Sequence, residues 1–384
     1  MNPIDNPYTP GAGTPPPELA GREAILLQAV NAIQRSLNNK AAKSQIMLGL
    51  RGVGKTVLLN RINQLAEDSG NHIAFFEATP GQALPEMMTQ QLHRLLLKLD
   101  RRKKIGKDIQ RTFGLLREFA GIFKVKIGEF EFSLTSGNLT GDLNIDLADM
   151  FVSIGEAAKN RNTVVIIMID EVQYLDGNDF AALILAMHKI SQKQLPFLFF
   201  GAGLPQLAKL AGEAKSYAER LFDYIPIDRL DYKSAQEALE KPALNENVSF
   251  EPDALKQIID ETEGYPYFLQ VWGYHVWETA KASPISLNDV NKASLRAVSA
   301  LDSGFFRIRY ERLTERQQEY ARALAMVGHL PANSTEVAEI LKINVRQAAP
   351  LRDELIKKGM AYSPSRGLIT FTVPKFEEYI KRNY

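Results

Sequence analysis

Residues 45–56, Gln-Ile-Met-Leu-Gly-Leu-Arg-Gly-Val-Gly-Lys-Thr, constrain the fold more than any other stretch of this chain. They match Gly-x-x-x-x-Gly-Lys-Thr at Gly49, Gly54, Lys55 and Thr56. An apolar run precedes the glycines and an amphipathic run, residues 57–65, follows them, so strand, loop and helix come in the order this pattern requires. Such a loop turns its backbone N–H groups inward around a phosphate, and the helix start adds partial positive charge. Gly49, Arg51, Gly52, Val53, Gly54, Lys55, Thr56 and Val57 would form the cradle. Lys55 would reach the β- and γ-phosphates, and the Thr56 hydroxyl would hold Mg²⁺.

A second pattern lies at residues 164–171, Val-Val-Ile-Ile-Met-Ile-Asp-Glu. Six consecutive apolar residues read as a strand buried on both faces, as in a parallel sheet. At its carboxyl edge Asp170 would hold Mg²⁺ through water, and Glu171 would orient and polarise an attacking water. Alone, an Asp-Glu pair after a strand is also how a solvated loop begins. Phosphoryl transfer mainly needs positioning and charge neutralisation, so with the phosphate loop these few groups suffice.

The 384 residues suggest two or three domains, and 45% apolar with 24% charged residues is ordinary for a soluble protein. The chain has no cysteine, which rules out disulfides, thiolate nucleophiles and cysteine-based zinc sites. No stretch approaches the roughly 18 apolar residues of a membrane span, and the start lacks a signal-peptide pattern, so a cytoplasmic protein away from membranes is expected. The five histidines lack metal-ligand spacing. Net charge is +1, so any nucleic-acid surface has to be local.

The first twenty residues are rich in proline and glycine and form either a flexible tail or an arm laid on the protein. Residues 21–229 read as a core in which strands and helices alternate, the pattern of a doubly wound parallel sheet. Within it, helices are expected over 23–37, 84–99, 145–158 and 179–192, and strands over 72–78 and 195–200. An insertion spans about residues 98–146. It opens with the basic cluster Lys98, Arg101, Arg102, Lys103, Lys104 and Lys107, either a solvated helix end or a phosphate-backbone contact. Residues 123–146 then alternate apolar and polar as a hairpin would, with Leu143 and Ile145 as a candidate further strand.

Residues 230–303 read as a helical lid, with helices near 233–243, 252–263, 267–280 and 287–301. Trp272 and Trp277 are expected in its core. Residues 304–384 show helices over 315–327, 334–341 and 345–358, then two alternating segments around a turn at 364–367, the pattern of a winged helix. The helix-turn-helix would span 335–358, with 344–358 entering a major groove. This segment holds fourteen Lys and Arg against nine Asp and Glu, a local excess of five positive charges. Asn344, Arg346, Gln347 and Arg352 could reach bases or phosphates. Lys357, Lys358 and Arg366 suit phosphates better. The same arrangement also serves for docking proteins.

With Gly49–Thr56 and Asp170-Glu171 in place, the chain resembles the AAA+ ATPases of the origin-recognition and initiator type, over nearly its whole length. It is also similar to the STAND ATPases, which share the order of phosphate-loop core, helical lid and winged helix. Bacterial members with an Asn-Pro-Tyr-Thr-Pro-Gly start and a winged-helix end look most like it. The resemblance implies three further roles. Arg22 would lie beside the adenine. Arg220 would reach the γ-phosphate of a neighbouring subunit, though a surface salt bridge is the other reading of that arginine. Pro266, in Gly264-Tyr-Pro266, would pack on the adenine, or simply start a helix. One departure stands out. The family usually has a polar γ-phosphate sensor after the strand at 195–200, whereas this chain reads Phe199-Phe200-Gly201-Ala202-Gly203.

The expectation is a slow, partner-stimulated ATPase using ATP/ADP and Mg²⁺, with Lys55, Glu171 and Arg220 as its catalytic set. It would be a homo-oligomer with shared ATP sites that assembles on duplex DNA. The alternatives are a STAND-like signalling, mobile-element or defence ATPase whose winged helix and insertion bind a protein partner, and a nucleotide-binding regulator that does not oligomerise.

Overall fold

The computed structural model describes residues 1–11, 13–100, 106–125 and 139–384. The chain divides into two compact units, residues 22–49 with 55–227, and residues 1–21 and 50–54 with 228–384.

The first unit is an α/β fold. Its elements in order are α1 (Glu23–Leu37), β1 (Ser44–Leu48), α2 (Lys55–Asp68), β2 (His72–Glu77), α3 (Leu84–Asp100), α4 (Lys107–Ile122), α5 (Leu143–Lys159), β3 (Val165–Asp170), α6 (Gly177–Lys193), β4 (Phe197–Gly203), α7 (Leu207–Ala214), α8 (Ala218–Leu221) and β5 (Phe222–Pro226). The strands form one parallel sheet in the order β2-β3-β4-β1-β5. All residues of β3 and β4 are buried, because helices cover both faces and leave no side for water. The apolar runs in the sequence are the record of that double burial.

The chain crosses from β1 to the far edge at β2 and returns through β3 and β4, so β1 ends up between β4 and β5. Strand order reverses around β1, and in open α/β sheets ligands bind beyond the carboxyl ends at such a reversal. The register sets Leu48 opposite Gly203 and Glu77 opposite Asp170. The loop after β1 and the acids after β3 therefore leave the sheet along one edge.

Two expectations change here, and one helix is added. Leu143 and Ile145 belong to a helix, not a strand. Asp142 caps α5 by accepting from the Asn144 N–H, and buried Asp146 accepts from the Thr140 and Gly141 N–H groups, which fixes the helix start. Residues 107–122 are helical, with Ile109, Thr112, Leu115, Leu116, Phe119 and Ala120 buried at helical spacing. The fourth strand continues through Gly203, beyond the expected end at Phe200. Arg101 to Lys104 and most of the expected hairpin lie outside the described residues.

The second unit holds a helical region, α9 (Tyr232–Asn245), α10 (Pro252–Thr262), α11 (Pro266–Thr279) and α12 (Leu287–Ala300). Trp272 and Trp277 are both buried in it. The Trp272 indole N–H donates to Glu261 at 2.6 Å, so its polar end is satisfied as burial demands. The N-terminal arm is ordered. Tyr8 is 1% exposed, its hydroxyl donates to the Leu239 carbonyl at 2.6 Å, and its ring meets Trp277 edge-on.

A π-helical turn over Leu301–Phe306 leads into α13 (Arg307–Glu311), α14 (Glu315–Met326), β6 (Ala332–Asn333), α15 (Ser334–Ile340), α16 (Val345–Lys357), β7 (Ala361–Tyr362), β8 (Leu368–Phe371) and α17 (Phe376–Asn383). The short strands form an antiparallel sheet in the order β6-β8-β7, as in a winged helix. Among the described residues no helix is long and apolar enough to cross a membrane.

Candidate functional site

The loop between β1 and α2 takes its shape from two left-handed glycines, Gly52 at φ +85° and Gly54 at φ +94°. A side chain at either would strain the backbone. Its first residue is pinned to the sheet, since the Gly49 N–H donates to the Gly203 carbonyl at 3.0 Å. Lys55 opens α2. It is only 6% exposed, and its ammonium donates to the Gly49 carbonyl at 2.9 Å, spanning the loop. A buried ammonium at the end of a glycine-rich loop suits a site that receives anionic oxygen. Val53 is buried and Val57 half-buried, so their side chains anchor the loop.

Asp170, at the end of β3, is 4% exposed. The Thr56 hydroxyl donates to its Oδ2 at 2.5 Å, and the Glu171 N–H donates to its Oδ1 at 2.8 Å. Burial pushes the carboxyl above the ordinary carboxylate range, against those hydrogen bonds and the nearby Lys55 charge. A desolvated carboxylate beside a hydroxyl is the hard-oxygen pair that Mg²⁺ takes, and a cation there would offset the cost of burial. The residues present therefore fit the metal. Glu171 follows in a left-handed conformation, φ 53° and ψ 39°, which few non-glycine residues adopt. It is half-buried, and its Oε2 accepts from the Gln173 amide.

The structure thus brings Lys55, Thr56, Asp170 and Glu171 to one edge of the sheet. Arg220 lies elsewhere. It precedes β5, whose first residue pairs with Ser44 at the amino end of β1, whereas the loop follows Leu48 at the carboxyl end. Four strand steps of about 3.3 Å separate the two ends, so this arginine cannot serve its own chain's phosphate loop through a short contact. It lines a cavity of about 800 Å³ at the amino edge, where Tyr217 stacks on His188 at 4.3 Å. Arg22 is buried at the start of α1, where its carbonyl accepts the first helical N–H groups.

In the second unit, residues 50–54 meet the start of α11. The Tyr267 N–H donates to the Gly52 carbonyl at 3.3 Å, and a β-carbon at Gly52 would come within 2.9 Å of the Tyr265 ring. Pro266 is the first residue of α11, the helix start that was one of the two readings of this proline. Sequence reading missed two neighbours. Tyr267 stacks on Phe305 at 4.8 Å, and the Arg309 guanidinium lies 3.7 Å above the Phe305 ring. Burial, and then the like charge of Arg51, hold Arg309 down at about 10. A buried guanidinium facing a second positive charge suits an anion. No local pattern announces this pair, because it is made by residues far apart in sequence.

The seven expected DNA contacts, on α16, its caps and the turn before β8, divide. Gln347 closes a capping box with Asn344. Arg352 is 22% exposed and bonds Asp353 and Ser363. Lys358 donates to the Arg312 carbonyl at 2.9 Å and to Gln317 at 2.7 Å, bracing the start of α14. Lys357 makes only an exposed pair with Glu354 at 3.4 Å. Arg346 and Arg366 are exposed.

Residues 38–210 match the family model of the AAA domain, and residues 303–380 match a family described as a domain of unknown function. No curated protein matched the chain significantly. Among solved structures, a Walker-type ATPase of Pyrococcus abyssi superposes with a TM-score of 0.58 at 16% identity, over 96% of this chain and 97% of that one. The Orc1 protein of Aeropyrum pernix, solved in complex with DNA, gives 0.47 at 15% identity, over 95% and 93%. The RuvB Holliday junction branch migration motor of Thermotoga maritima gives 0.45 at 16% identity, over 94% and 95%. At 16% identity the likeness to the Pyrococcus abyssi protein is one of fold alone. The residues 38–210 that match the AAA domain hold four of the five strands of the parallel sheet, with the phosphate-loop sequence after β1.

Proposed function

We propose that the protein is an ATP-binding and ATP-hydrolysing switch, with hydrolysis at the carboxyl edge of the sheet. The observation that carries this reading is the Thr56–Asp170 hydrogen bond, which joins the phosphate-loop helix to the acid-bearing strand beside Lys55 and Glu171. Lys55 neutralises phosphate charge, the loop N–H groups hold the phosphate oxygens, and Glu171 accepts a hydrogen bond from the attacking water. Thr56 and Asp170 would hold Mg²⁺, which when bound neutralises charge on the phosphate oxygens. Pro266 and Arg22 are proposed as adenine neighbours. Arg220, on the opposite edge, would complete the site of a second copy, which makes a homo-oligomer with shared sites the expected active form. The C-terminal module would hold duplex DNA through Arg346, Lys357 and Arg366.

A second reading, in which that module docks a protein partner, is favoured by one observation. Gln347, Arg352 and Lys358 are held by neighbouring groups of the module. Steady-state phosphate release across protein concentrations, with and without duplex DNA, tests both. Turnover that rises faster than linearly with protein and is stimulated by DNA supports the shared-site, DNA-bound form. Turnover linear in protein removes Arg220 from the site, and indifference to DNA favours the protein-docking reading.

A further inference from the structure

The strand β4 ends without a polar side chain, yet a polar group stands there. A β-carbon at Gly203 would lie 2.7 Å from Gln173 Oε1 and 2.9 Å from Leu207 Cδ2. The glycine is the room into which Gln173 reaches from the 3₁₀ turn Val172–Tyr174 after β3. Its Oε1 accepts from the Leu204 N–H at 3.0 Å, and its Nε2 donates to Glu171 Oε2. An N–H on one side and a carboxylate on the other fix which end of the amide faces which. The next strand over carries the loop, since Gly203 pairs with Leu48 and accepts from the Gly49 N–H. The left-handed backbone at Glu171 is strained, and such conformations persist where surrounding contacts hold them.

We propose that Gln173 is the positioning residue for Glu171. It ties one carboxylate oxygen to the carboxyl end of β4, leaves the other for water, and fills the place where the sequence shows no sensor side chain. This rests on the reading of the edge as an ATP-hydrolysing site. One carboxamide thereby links the acid-bearing turn to the strand that pins the phosphate loop, so displacement of Gly49 or Leu204 reaches Glu171 through a single side chain.

The test uses the full-length protein with Gln173→Leu and Gln173→Glu. Four readouts are taken: ATP affinity with Mg²⁺, turnover, its pH profile, and hydrogen exchange at the Leu204 amide without nucleotide. In Gln173→Leu, affinity should stay within about threefold while turnover falls on the order of 10- to 100-fold, since orientation is lost and binding is not. Leu204 exchange should rise roughly fivefold or more, as its hydrogen-bond acceptor is gone. Gln173→Glu should move the acid limb of the turnover profile to higher pH, because like charges at hydrogen-bond distance disfavour ionisation. Unchanged turnover and profile in active protein would overturn the inference and leave the ATPase reading standing. So would a loss of affinity as large as the loss of turnover, with a lowered thermal midpoint, since that is a structural role. Wild-type protein without turnover under any condition would remove the ATPase reading and the positioning role with it, while Leu204 exchange would still report whether the bridge forms.

Discussion

At the carboxyl edge of the sheet, polar side chains from separate elements converge; on α16 they turn aside to local partners. Lys55, Thr56 and Asp170 come from the phosphate-loop helix and from β3, and two of the three are almost fully buried. Buried polar groups are costly unless they face a partner, so their convergence suits a ligand. The cations of α16 sit at the surface, where an ammonium or guanidinium is satisfied by a cap, a carbonyl or a neighbouring carboxylate at little cost. Charge counted along a sequence thus says more about a buried edge than about an exposed helix.

Lys55→Ala should have the largest effect. Removing the charge at the centre of the edge should weaken ATP binding by about 100-fold or more, on the order of 3 kcal/mol, measured by titration calorimetry. Normal affinity would break the contrast at its strongest point. Glu171→Gln should keep ATP affinity and slow turnover by roughly 10²- to 10⁴-fold, the range for a group that acts on a proton in transit. Wild-type turnover in that variant would remove Glu171 from the water-positioning role.

Asp170 gives a smaller effect with a definite sign. Burial raises its folded-state carboxyl above the ordinary value of 3.8. The folded chain therefore binds a proton more readily than the unfolded one, and this group's contribution to stability is full below the unfolded value and lost as pH rises through the folded one. At neutral pH without divalent cations, the charged Asp170 is a net burden. Asp170→Asn should raise the thermal midpoint there, and the gain should vanish below about pH 4. A variant less stable at both pH values would mean that the Thr56 hydrogen bond outweighs the burial cost.

The parts legible in the sequence were those whose cause is local. The spacing Gly49 to Thr56 and the unbroken run before Asp170 each report one strand and one turn, and the parallel α/β core follows from their burial. What escaped was made by register. Gln173 meets Leu204 only because β3 and β4 end side by side, and Arg309 meets the loop tip only through the Tyr267–Phe305 stack. Leu143 and Ile145 alternate like a strand, but the capping by Asp142 decides for a helix. The partners of Arg352 and Lys358 were not legible, because Ser363 and Gln317 are distant in sequence.

The smallest expected effect is on α16 and the turn before β8. Arg346→Ala with Arg366→Ala should lower the slope of log affinity for duplex DNA against log salt by about two, close to 0.9 per released phosphate contact, with no change in ATP affinity. Lys358→Met should do the reverse. It removes the brace on the Arg312 carbonyl and Gln317, so the thermal midpoint should fall by roughly 2–4 °C while the salt slope stays as it was. Should the slope drop with Lys358→Met and hold in the double variant, the bound lysine exchanges its internal partners for phosphates, and the division between held and free cations on this helix fails. If wild-type affinity for duplex DNA is weak and nearly independent of salt, neither set touches phosphate, and the exposed arginines belong to a surface for protein.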